Sequence, residues 1–269
     1  MAVSIVGVQR VTRLQQLSQL NDWLLCDMPH YQKRAVNFSK DEHGQWQLFR
    51  SLVNVREPKP VSKEFIEWQD AFLQNEIQQK GITDLSDLIP IQDNIYLWQG
   101  DITTLRVDAI VNAANSQMLG CFMPCHSCID NAIHTYAGVQ LRLECAEIMK
   151  KQGKLEPTGS AKITKGYNLP CRYVIHTVGP IVSGRPTLKD CMLLASCYRT
   201  CLDFAYKNQL NSVAFCCIST GEFHFPNEKA AEIAIRTVKE YSSIHNKMRI
   251  VFNVFKDIDY QIYQQLLSR

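Results

Sequence analysis

The sequence has no long hydrophobic run and no large excess of charge of one sign. No stretch of its 269 residues approaches the ~20 consecutive apolar residues that a membrane-spanning helix needs. The N-terminal residues MAVSIVGVQR lack a basic start followed by a long apolar run, so we expect no signal peptide. A net charge of +3 is too small to indicate nucleic-acid binding by itself. Neither a membrane nor a nucleic acid is therefore expected as a partner.

The cysteines do not have the features of an exported disulfide framework. There are eleven in a long chain without an export signal. Several lie inside apolar strand or helix patterns, as Cys201, Cys216 and Cys217 do, and such cysteines behave as small core residues. A reducing cytoplasm is the predicted location. In that compartment, clustered cysteines favour a metal site or catalysis over disulfides.

Residues 1–93 are predicted to form a mostly helical N-terminal extension packed on the core. Two stretches carry apolar residues at helical spacing: Leu14, Leu17, Leu20 and Leu24 in the first, and Phe65, Trp68, Phe72 and Ile77 in the second. Ser62 is a candidate N-cap of the second helix, and Gly81 follows its end. Nothing here gathers titratable groups around a pocket, so we predict a packing extension or a partner surface.

Residues 94–269 have the pattern of an α/β domain. The runs IYLWQG, VDAIVN, AKITKGY, YVIHTVG, SVAFCCIS and RIVFNVF predict strands, and helical patterns lie near 130–151, 189–207, 227–243 and 258–268. Several runs are apolar throughout, which indicates a central sheet covered by helices on both faces. Ligands of such sheets bind beyond the carboxyl ends of the strands. The loops after the first, second and fifth runs are therefore the candidate site.

The loop after the fifth run has features of a phosphate site. Ser219, Thr220 and Gly221 follow a buried strand and precede an amphipathic helix that begins near Asn227. Small residues let backbone N–H groups approach an anion beside the positive end of the helix dipole. The pattern lacks both the lysine of a P-loop and a three-glycine fingerprint, so a plain strand–loop–helix connection is the alternative.

Two polar residues follow the first two predicted strands. Asp101 has the chemistry to accept hydrogen bonds from an amine such as the exocyclic group of adenine. Asn115 can both donate to and accept from sugar hydroxyls. Each residue type is also common as a helix cap or turn residue, and the residues alone do not decide between these interpretations.

The stretch LGCFMPCHSCIDNAIH predicts a metal site. Cys121, His126 and Cys128 offer two thiolates and an imidazole, a donor set that favours Zn²⁺. Three ligands without an obvious fourth fit a catalytic site with an open position. Cys125 would complete a closed structural site, but a ligand adjacent to His126 is geometrically awkward, so we favour Cys125 as a non-ligand. Asp130 opens the next helix, where it either complements the helix dipole or orients a water or ribose hydroxyl.

Taken together, these motifs resemble the macrodomain family, whose members bind ADP-ribose. The matching stretches are GDIT at 100–103, VNAANSQMLG at 111–120, IDNAIH at 129–134 and CISTGEFHFP at 217–226. The resemblance covers roughly residues 94–269 and implies a three-layer α/β/α fold with a mixed sheet. GCFMPCHSC replaces the glycine-rich run of ordinary hydrolytic members. This departure looks like the zinc-containing subgroup, in which Cys121, His126 and Cys128 would hold one zinc ion.

The resemblance also implies roles for single residues. Asp101 and the Ile102 N–H would bind adenine, and Phe255 would pack against the adenosine. Asn115 would hold the distal ribose, Ile129 would contact the ADP-ribose, and Asp130 matches the acidic residue that serves water or ribose activation. The diphosphate would be wrapped by Ser219, Thr220, Gly221, Glu222 and Phe223. The three zinc ligands would contribute to ligand binding as well.

The implied function is zinc-dependent hydrolysis that removes mono-ADP-ribose from modified protein side chains. An acidic acceptor side chain would make the broken bond an ester, and Asn115 and Asp130 would be the catalytic residues. The alternative is a non-catalytic reader of ADP-ribosylated protein with a structural zinc. Subgroup members are often linked to a sirtuin-type ADP-ribosyltransferase and a lipoyl-carrier protein, so the resemblance implies a lipoyl-carrier protein as a possible substrate.

Overall fold

A computed structural model describes residues 11–245 and 247–268 of the chain. The expected lack of a signal peptide concerns residues 1–10, which lie outside the described residues, as does residue 269 at the end of the predicted second domain. Within the described residues, no helix is both long and apolar enough to cross a bilayer.

The helices and strands alternate in the second half of the chain. The helices are α1 (Arg13–Asp27), α2 (Gln32–Ala35), α3 (Glu42–Val55), α4 (Lys63–Lys80), α5 (Ile129–Ala137), α6 (Val139–Gln152), α7 (Leu188–Lys207), α8 (Asn227–Ile244) and α9 (Asp257–Leu267). The strands are β1 (Thr83–Asp84), β2 (Ile95–Gln99), β3 (Leu105–Arg106), β4 (Ala109–Ala114), β5 (Ala161–Lys165), β6 (Tyr173–Val178), β7 (Ser212–Phe215) and β8 (Arg249–Val254). All six predicted strand runs are present.

The central sheet has the strand order β2-β8-β7-β4-β6-β5. All neighbouring strands are parallel except β5, which is antiparallel to β6. The connection from β4 to β6 passes through α5, α6 and the antiparallel edge strand β5 and runs along the sheet in one direction, and that from β6 to β7 through α7 runs in the other. Right-handed crossovers therefore place these helices on opposite faces of the sheet. The predicted three-layer α/β/α fold with a mixed sheet is confirmed.

The N-terminal helices form a small apolar core of their own. Leu17, Leu20 and Leu24 of α1 are buried there against α3 and α4. Val139, the first residue of α6, belongs to the same cluster, and α3 and α4 pack on α5. As predicted, Ser62 caps α4 by accepting a hydrogen bond from the Phe65 N–H (3.2 Å). The division of the chain at residues 93 and 94 stays a prediction.

The helical pattern predicted near 130–151 is two helices, because the chain breaks at Gly138. This glycine has φ +93° and ψ 172°, a backbone conformation that is nearly exclusive to glycine. The Gln69 side chain accepts a hydrogen bond from the Val139 N–H (3.0 Å), which satisfies a free donor at the start of α6. The break allows α5 and α6 to run in different directions. Asp130 lies in the first turn of α5, at the candidate site.

Gly138→Ala should therefore destabilise the fold more than an alanine at another positive-φ glycine. A Cβ at Gly138 would lie 2.5 Å from Gln69 Nε2, whereas one at Gly153 (φ +70°) would meet no atom within 4 Å. We expect a loss in the free energy of unfolding of about 3 kcal/mol for Gly138→Ala and about 1 kcal/mol for the control Gly153→Ala. Urea denaturation measures both. Equal losses would show that the break at Gly138 does not require glycine.

Candidate functional site

A cleft of about 680 Å³ lies at the carboxyl ends of the parallel strands. Its walls come from the loops that follow β2, β4, β6 and β7 and from the end of β8. All fourteen predicted site residues line it: Asp101, Ile102, Asn115, Cys121, His126, Cys128, Ile129, Asp130, Ser219, Thr220, Gly221, Glu222, Phe223 and Phe255. Its volume suits a nucleotide-sized ligand. The structure thus brings the predicted residues together, and their individual roles stay predictions.

Cys121, His126 and Cys128 form a three-ligand group at one end of this cleft. Their ligand atoms all lie within 4.8 Å of one another, and Cys121 Sγ is 3.7 Å from His126 Nδ1. The pKa of the Cys121 thiol is lowered to about 5, first because Cys128 donates a hydrogen bond to it. Cys128 caps α5, where its sulfur accepts a hydrogen bond from the Asn131 N–H (3.4 Å). A donor set of two sulfur atoms and an imidazole fits Zn²⁺.

Cys125 takes no part in this group. Its thiol donates to the Gln47 carbonyl oxygen (3.3 Å), and its backbone N–H donates to Asn54 Oδ1 (2.9 Å). In the described part of the chain, no fourth histidine, cysteine or acidic residue joins the three ligands. The group therefore has the composition of an open site and not of a closed four-ligand site.

Asp130 lies in the cleft wall, at the first turn of α5. Its side chain is almost fully buried and accepts a hydrogen bond from Asn112 Nδ2 (2.8 Å). Burial raises the pKa of this carboxyl group to about 6. His134 Nε2 lies 3.5 Å from Asp130 Oδ1, and burial lowers the pKa of His134 well below its usual value, so this imidazole is neutral at pH 7. His134 thus lies beside the candidate catalytic carboxylate.

The loop from Cys217 to Pro226 is folded tightly against the sheet. Ser219 has φ +67°, and its buried Oγ has no hydrogen-bond partner within the described residues. Gly179 at the end of β6 permits this approach, because a Cβ there would clash with Ser219 Oγ. The Phe225 N–H donates to the Ser219 carbonyl (2.9 Å), which closes the loop. An orphaned buried hydroxyl on a loop that leads into α8 fits a missing anionic partner.

Glu222 links this loop to the metal group. Its Oε1 lies 3.6 Å from His126 Nε2, while Nδ1 of the same ring faces Cys121. A carboxylate on the outer nitrogen of a metal-ligating histidine fixes the ring's tautomer and orientation. Glu222 is well exposed, so this contact spans the mouth of the cleft.

Elsewhere in the cleft wall, Asp101 caps the short 3₁₀ turn Ile102–Thr104. Its Oδ1 accepts from the Thr103 N–H (3.0 Å) and hydroxyl (2.6 Å), and its Oδ2 accepts from Lys80 Nζ (2.6 Å). The Lys80 ammonium also lies 3.7 Å from the centre of the Tyr136 ring. Phe255, at the end of β8, is 75% exposed and offers an aromatic face at the rim.

Asn115 uses part of its amide to shape its own loop. Nδ2 donates to the Gly120 carbonyl (3.1 Å), and Oδ1 accepts from the Gln117 N–H (3.0 Å). Asn115 therefore does act as a turn residue, which the sequence left open as an alternative. A second amide hydrogen and a second lone pair remain for a ligand in the cleft.

Sequence reasoning missed the contribution of the N-terminal helices. Lys80 of α4 pairs with Asp101, and Arg50 and Asn54 of α3 bond to the metal-bearing loop. These partners are between 21 and 76 residues apart in the chain. A lysine, an arginine and an asparagine on helices look like surface residues, so no local pattern indicates their partners.

Known proteins resemble the chain along most of its length. The family model described as Macro domain matches residues 111–234. A protein-ADP-ribose hydrolase of Treponema medium is 54% identical over 263 residues, which is 96% of this chain and 100% of the relative. The chain belongs to the Macro domain family. A protein-ADP-ribose hydrolase of Staphylococcus aureus (strain MSSA476) is 56% identical over 227 residues, which is 83% of this chain and 85% of the relative.

A solved structure shows the same fold. It is a mutant form of the Oceanobacillus iheyensis macrodomain with ADPR, which is 38% identical to this macrodomain at a TM-score of 0.61. It covers 67% of this chain, and the match includes 96% of that chain. The family assignment made from the loop motifs is thereby confirmed.

Removing either cysteine of the group should abolish metal retention by this macrodomain. We expect about one Zn²⁺ per chain for the unaltered protein after gel filtration. Zinc affinity should fall by more than about 100-fold in Cys121→Ala and in Cys128→Ala, because losing even a residue that only supports a ligand lowers metal affinity by about 10–100-fold. Inductively coupled plasma mass spectrometry measures the content. Cys26→Ala, which removes an exposed thiol of α1, is the control and should keep its zinc. Equal zinc in all four proteins would contradict the assignment of the ligands.

Proposed function

We propose that this macrodomain is a zinc-dependent hydrolase that removes mono-ADP-ribose from modified protein side chains. The observation that carries the proposal is the position of the three-ligand group, which lies in the wall of the same cleft as Asp130 and the loop at Ser219. A reader of ADP-ribose gains nothing from an open metal site beside a carboxylate. The two relatives named protein-ADP-ribose hydrolase support the same activity.

The residues that line the cleft offer the chemistry that each part of ADP-ribose requires. The Asp101 carboxylate, the Ile102 backbone and the exposed ring of Phe255 suit adenosine at one end. The small residues of the loop at 219–223 and the start of α8 suit the diphosphate in the middle. In the proposed orientation, the distal ribose would be surrounded by Asn115, Ile129, Asp130 and the three metal ligands. The bond at ribose C1″ would then lie beside the metal group.

The reaction adds water across the bond between ADP-ribose and its acceptor. Cys121, His126 and Cys128 would hold a zinc ion, and the chemistry supplied there would be Lewis acidity toward an oxygen and a water whose pKa is lowered to ~7. Asp130, held in place by Asn112, can orient a water or a ribose hydroxyl. The free donor and acceptor of Asn115 can fix the ribose. The hydroxyl of water goes to one product and its proton to the other, giving free ADP-ribose and the unmodified side chain.

The acceptor is proposed to be an acidic side chain, so that the bond is an ester. A carboxylate is a better leaving group than an alkoxide, which favours an ester over an ether-like bond to serine. We further propose a lipoyl-carrier protein as the modified partner. That part of the proposal is supported by the family resemblance alone.

Cys128→Ala should abolish release of ADP-ribose while retaining most of the affinity for free ADP-ribose. The thiol belongs to the metal group, whereas the adenosine and diphosphate contacts lie elsewhere in the cleft. Release is measured on a protein mono-ADP-ribosylated at glutamate, and affinity by isothermal titration calorimetry. Cys26→Ala should behave as the unaltered protein in both assays.

Two outcomes would redirect the proposal. Release at the original rate by a demonstrably zinc-free Cys128→Ala protein would contradict the zinc mechanism. A zinc-loaded unaltered protein that binds ADP-ribose but releases none would indicate the reader function with a structural zinc.

Comparing the glutamate-linked substrate with a serine-linked one tests the acceptor, and we expect faster release from glutamate. A lipoyl-carrier protein modified at an acidic residue, set against an unrelated protein modified in the same way, tests the partner.

Lys80→Met should weaken binding of ADP-ribose without changing the rate of the chemical step. Lys80 Nζ lies 2.6 Å from Asp101 Oδ2, which is 21 residues later in the sequence. The proposed function assigns Asp101 to the adenine. A partly exposed ion pair is worth up to about 1 kcal/mol, so we expect up to about 5-fold weaker binding. Calorimetry measures the affinity, and Lys80→Arg is the matched control that keeps the charge. Unchanged affinity in Lys80→Met would show that Asp101 needs no partner.

A further inference from the structure

The loop that carries the metal ligands is bonded to helix α3 of the N-terminal extension. Asn54 is 1% exposed, and its Oδ1 accepts a hydrogen bond from the Cys125 N–H at 2.9 Å. One turn earlier in α3, Arg50 Nη2 donates to the His126 carbonyl (3.2 Å) and to Asn131 Oδ1 (2.9 Å). The Gln47 carbonyl accepts from the Cys125 thiol. Three consecutive turns of one helix thus hold two consecutive residues of the loop.

The held residues are those that reverse the chain between the ligands. The His126 N–H bonds to the Met123 carbonyl (3.3 Å), which makes Pro124 and Cys125 the centre of a tight turn. Cys125 has φ +54°, a conformation that costs a residue other than glycine about 1–2 kcal/mol. The hydrogen bonds from α3 offset this cost, since they satisfy the N–H and thiol of the strained residue. Without the turn, His126 would not return to the side of Cys121.

The same contacts extend to the third ligand. Asn131, which Arg50 contacts, is fully buried and donates through Nδ2 to the Met123 carbonyl (3.0 Å). Its backbone N–H donates to Cys128 Sγ. Asn54 Nδ2 donates to Thr135 Oγ1 (3.0 Å) on α5, which aligns that helix with α3.

The entrance of the loop is attached to the extension as well. Arg142 of α6 is almost fully buried and donates through Nε to the Leu119 carbonyl (2.7 Å). Its Nη1 donates to the carbonyls of Val53 (3.0 Å) and Arg56 (2.6 Å) at the end of α3, where a cation complements the helix dipole. The loop is therefore anchored to α3 before its first ligand and again between its ligands.

We propose that α3 of the N-terminal extension is a positioning element of the metal site, in which Arg50, Asn54 and the Gln47 carbonyl form a clamp that sets the spacing of Cys121, His126 and Cys128. These residues touch neither the metal group's ligand atoms nor the reacting bond, so they act through the loop. The inference rests on the proposed function only where it predicts catalytic effects. Its metal-binding part stands on the loop geometry alone.

Asn54→Ala tests the clamp, with the full chain and Zn²⁺ itself as the probe. Competition against a chromophoric chelator should show about 10–100-fold weaker zinc binding, the range expected when a partner outside the ligand set is lost. Substitution with Co²⁺ should show weaker thiolate-to-cobalt absorption, which reports ligand geometry directly. In the release assay, kcat should fall with little change in KM, because the adenosine and diphosphate contacts lie outside the clamp.

Three further variants separate positioning from general stability. Leu52→Ala removes a buried side chain of the same helix and should destabilise the fold by about 2–5 kcal/mol, yet keep the zinc affinity and cobalt spectrum of the unaltered protein. Arg50→Lys keeps a cation that cannot span two acceptors and should give an intermediate affinity. Cys125→Ala keeps the backbone N–H that donates a hydrogen bond to Asn54, so this variant should still bind zinc.

The outcomes distinguish this inference from the proposed function. If Asn54→Ala and Arg50→Lys keep the zinc affinity and cobalt spectrum of the unaltered protein, or if Leu52→Ala lowers zinc affinity as much as Asn54→Ala does, the clamp is overturned. If the clamp variants lose zinc affinity while the zinc-loaded unaltered protein releases no ADP-ribose, the clamp stands and the hydrolase proposal fails.

Discussion

Two thiols and one imidazole are held within 4.8 Å of one another on the loop between residues 121 and 128, and the chemistry of the cleft depends on this proximity. Such a group needs its thiols as thiolates, and two adjacent thiolates repel unless a cation or donors stabilise them. The helix N-terminus at Cys128 and the Asn131 N–H supply part of that stabilisation. A divalent cation bound between the two sulfur atoms would supply the remaining stabilisation of the thiolates.

The fold explains why this group meets a nucleotide-shaped cleft. Parallel strands deliver their following loops to one edge of the sheet, so the residues after β2, β4, β7 and β8 converge without being close in sequence. The tight loop at Ser219 depends on Gly179 of a neighbouring connection, and the direction of α5 depends on the break at Gly138. The position of the cleft thus follows from the topology of the sheet, whereas the three metal ligands all lie on one loop, between β4 and α5.

Much of this was predictable from the chain because the signals are local. Buried strands show as short apolar runs, and the polar turns after them identified Asp101, Asn115 and Ser219 as candidates. Ser62 predicted the start of α4 from the preference of its hydroxyl for helix caps. The helical pattern near 130–151 did not show that the region is two helices, because a glycine inside such a pattern does not reveal whether its φ is positive.

The rest was not predictable because it depends on contacts between distant segments. Asn54 and Arg50 are ordinary helical polar residues until α3 packs on α5, and only then do they reach Cys125 and His126. Lys80 likewise acquires its partner Asp101 through the packing of α4 beside the sheet. Cys125 illustrates the same limit: its spacing argues against a metal ligand, but its left-handed conformation and its partners on α3 are properties of the tertiary structure.

X-ray absorption at the zinc K-edge of the reconstituted protein tests the central claim most directly. We expect a first coordination sphere of two sulfur atoms, one imidazole nitrogen and one light atom from solvent. Addition of ADP-ribose should change the light-atom contribution and leave the sulfur and imidazole contributions unchanged. A sphere with three sulfur atoms, or one that is insensitive to ADP-ribose, would contradict an open metal site facing the ribose.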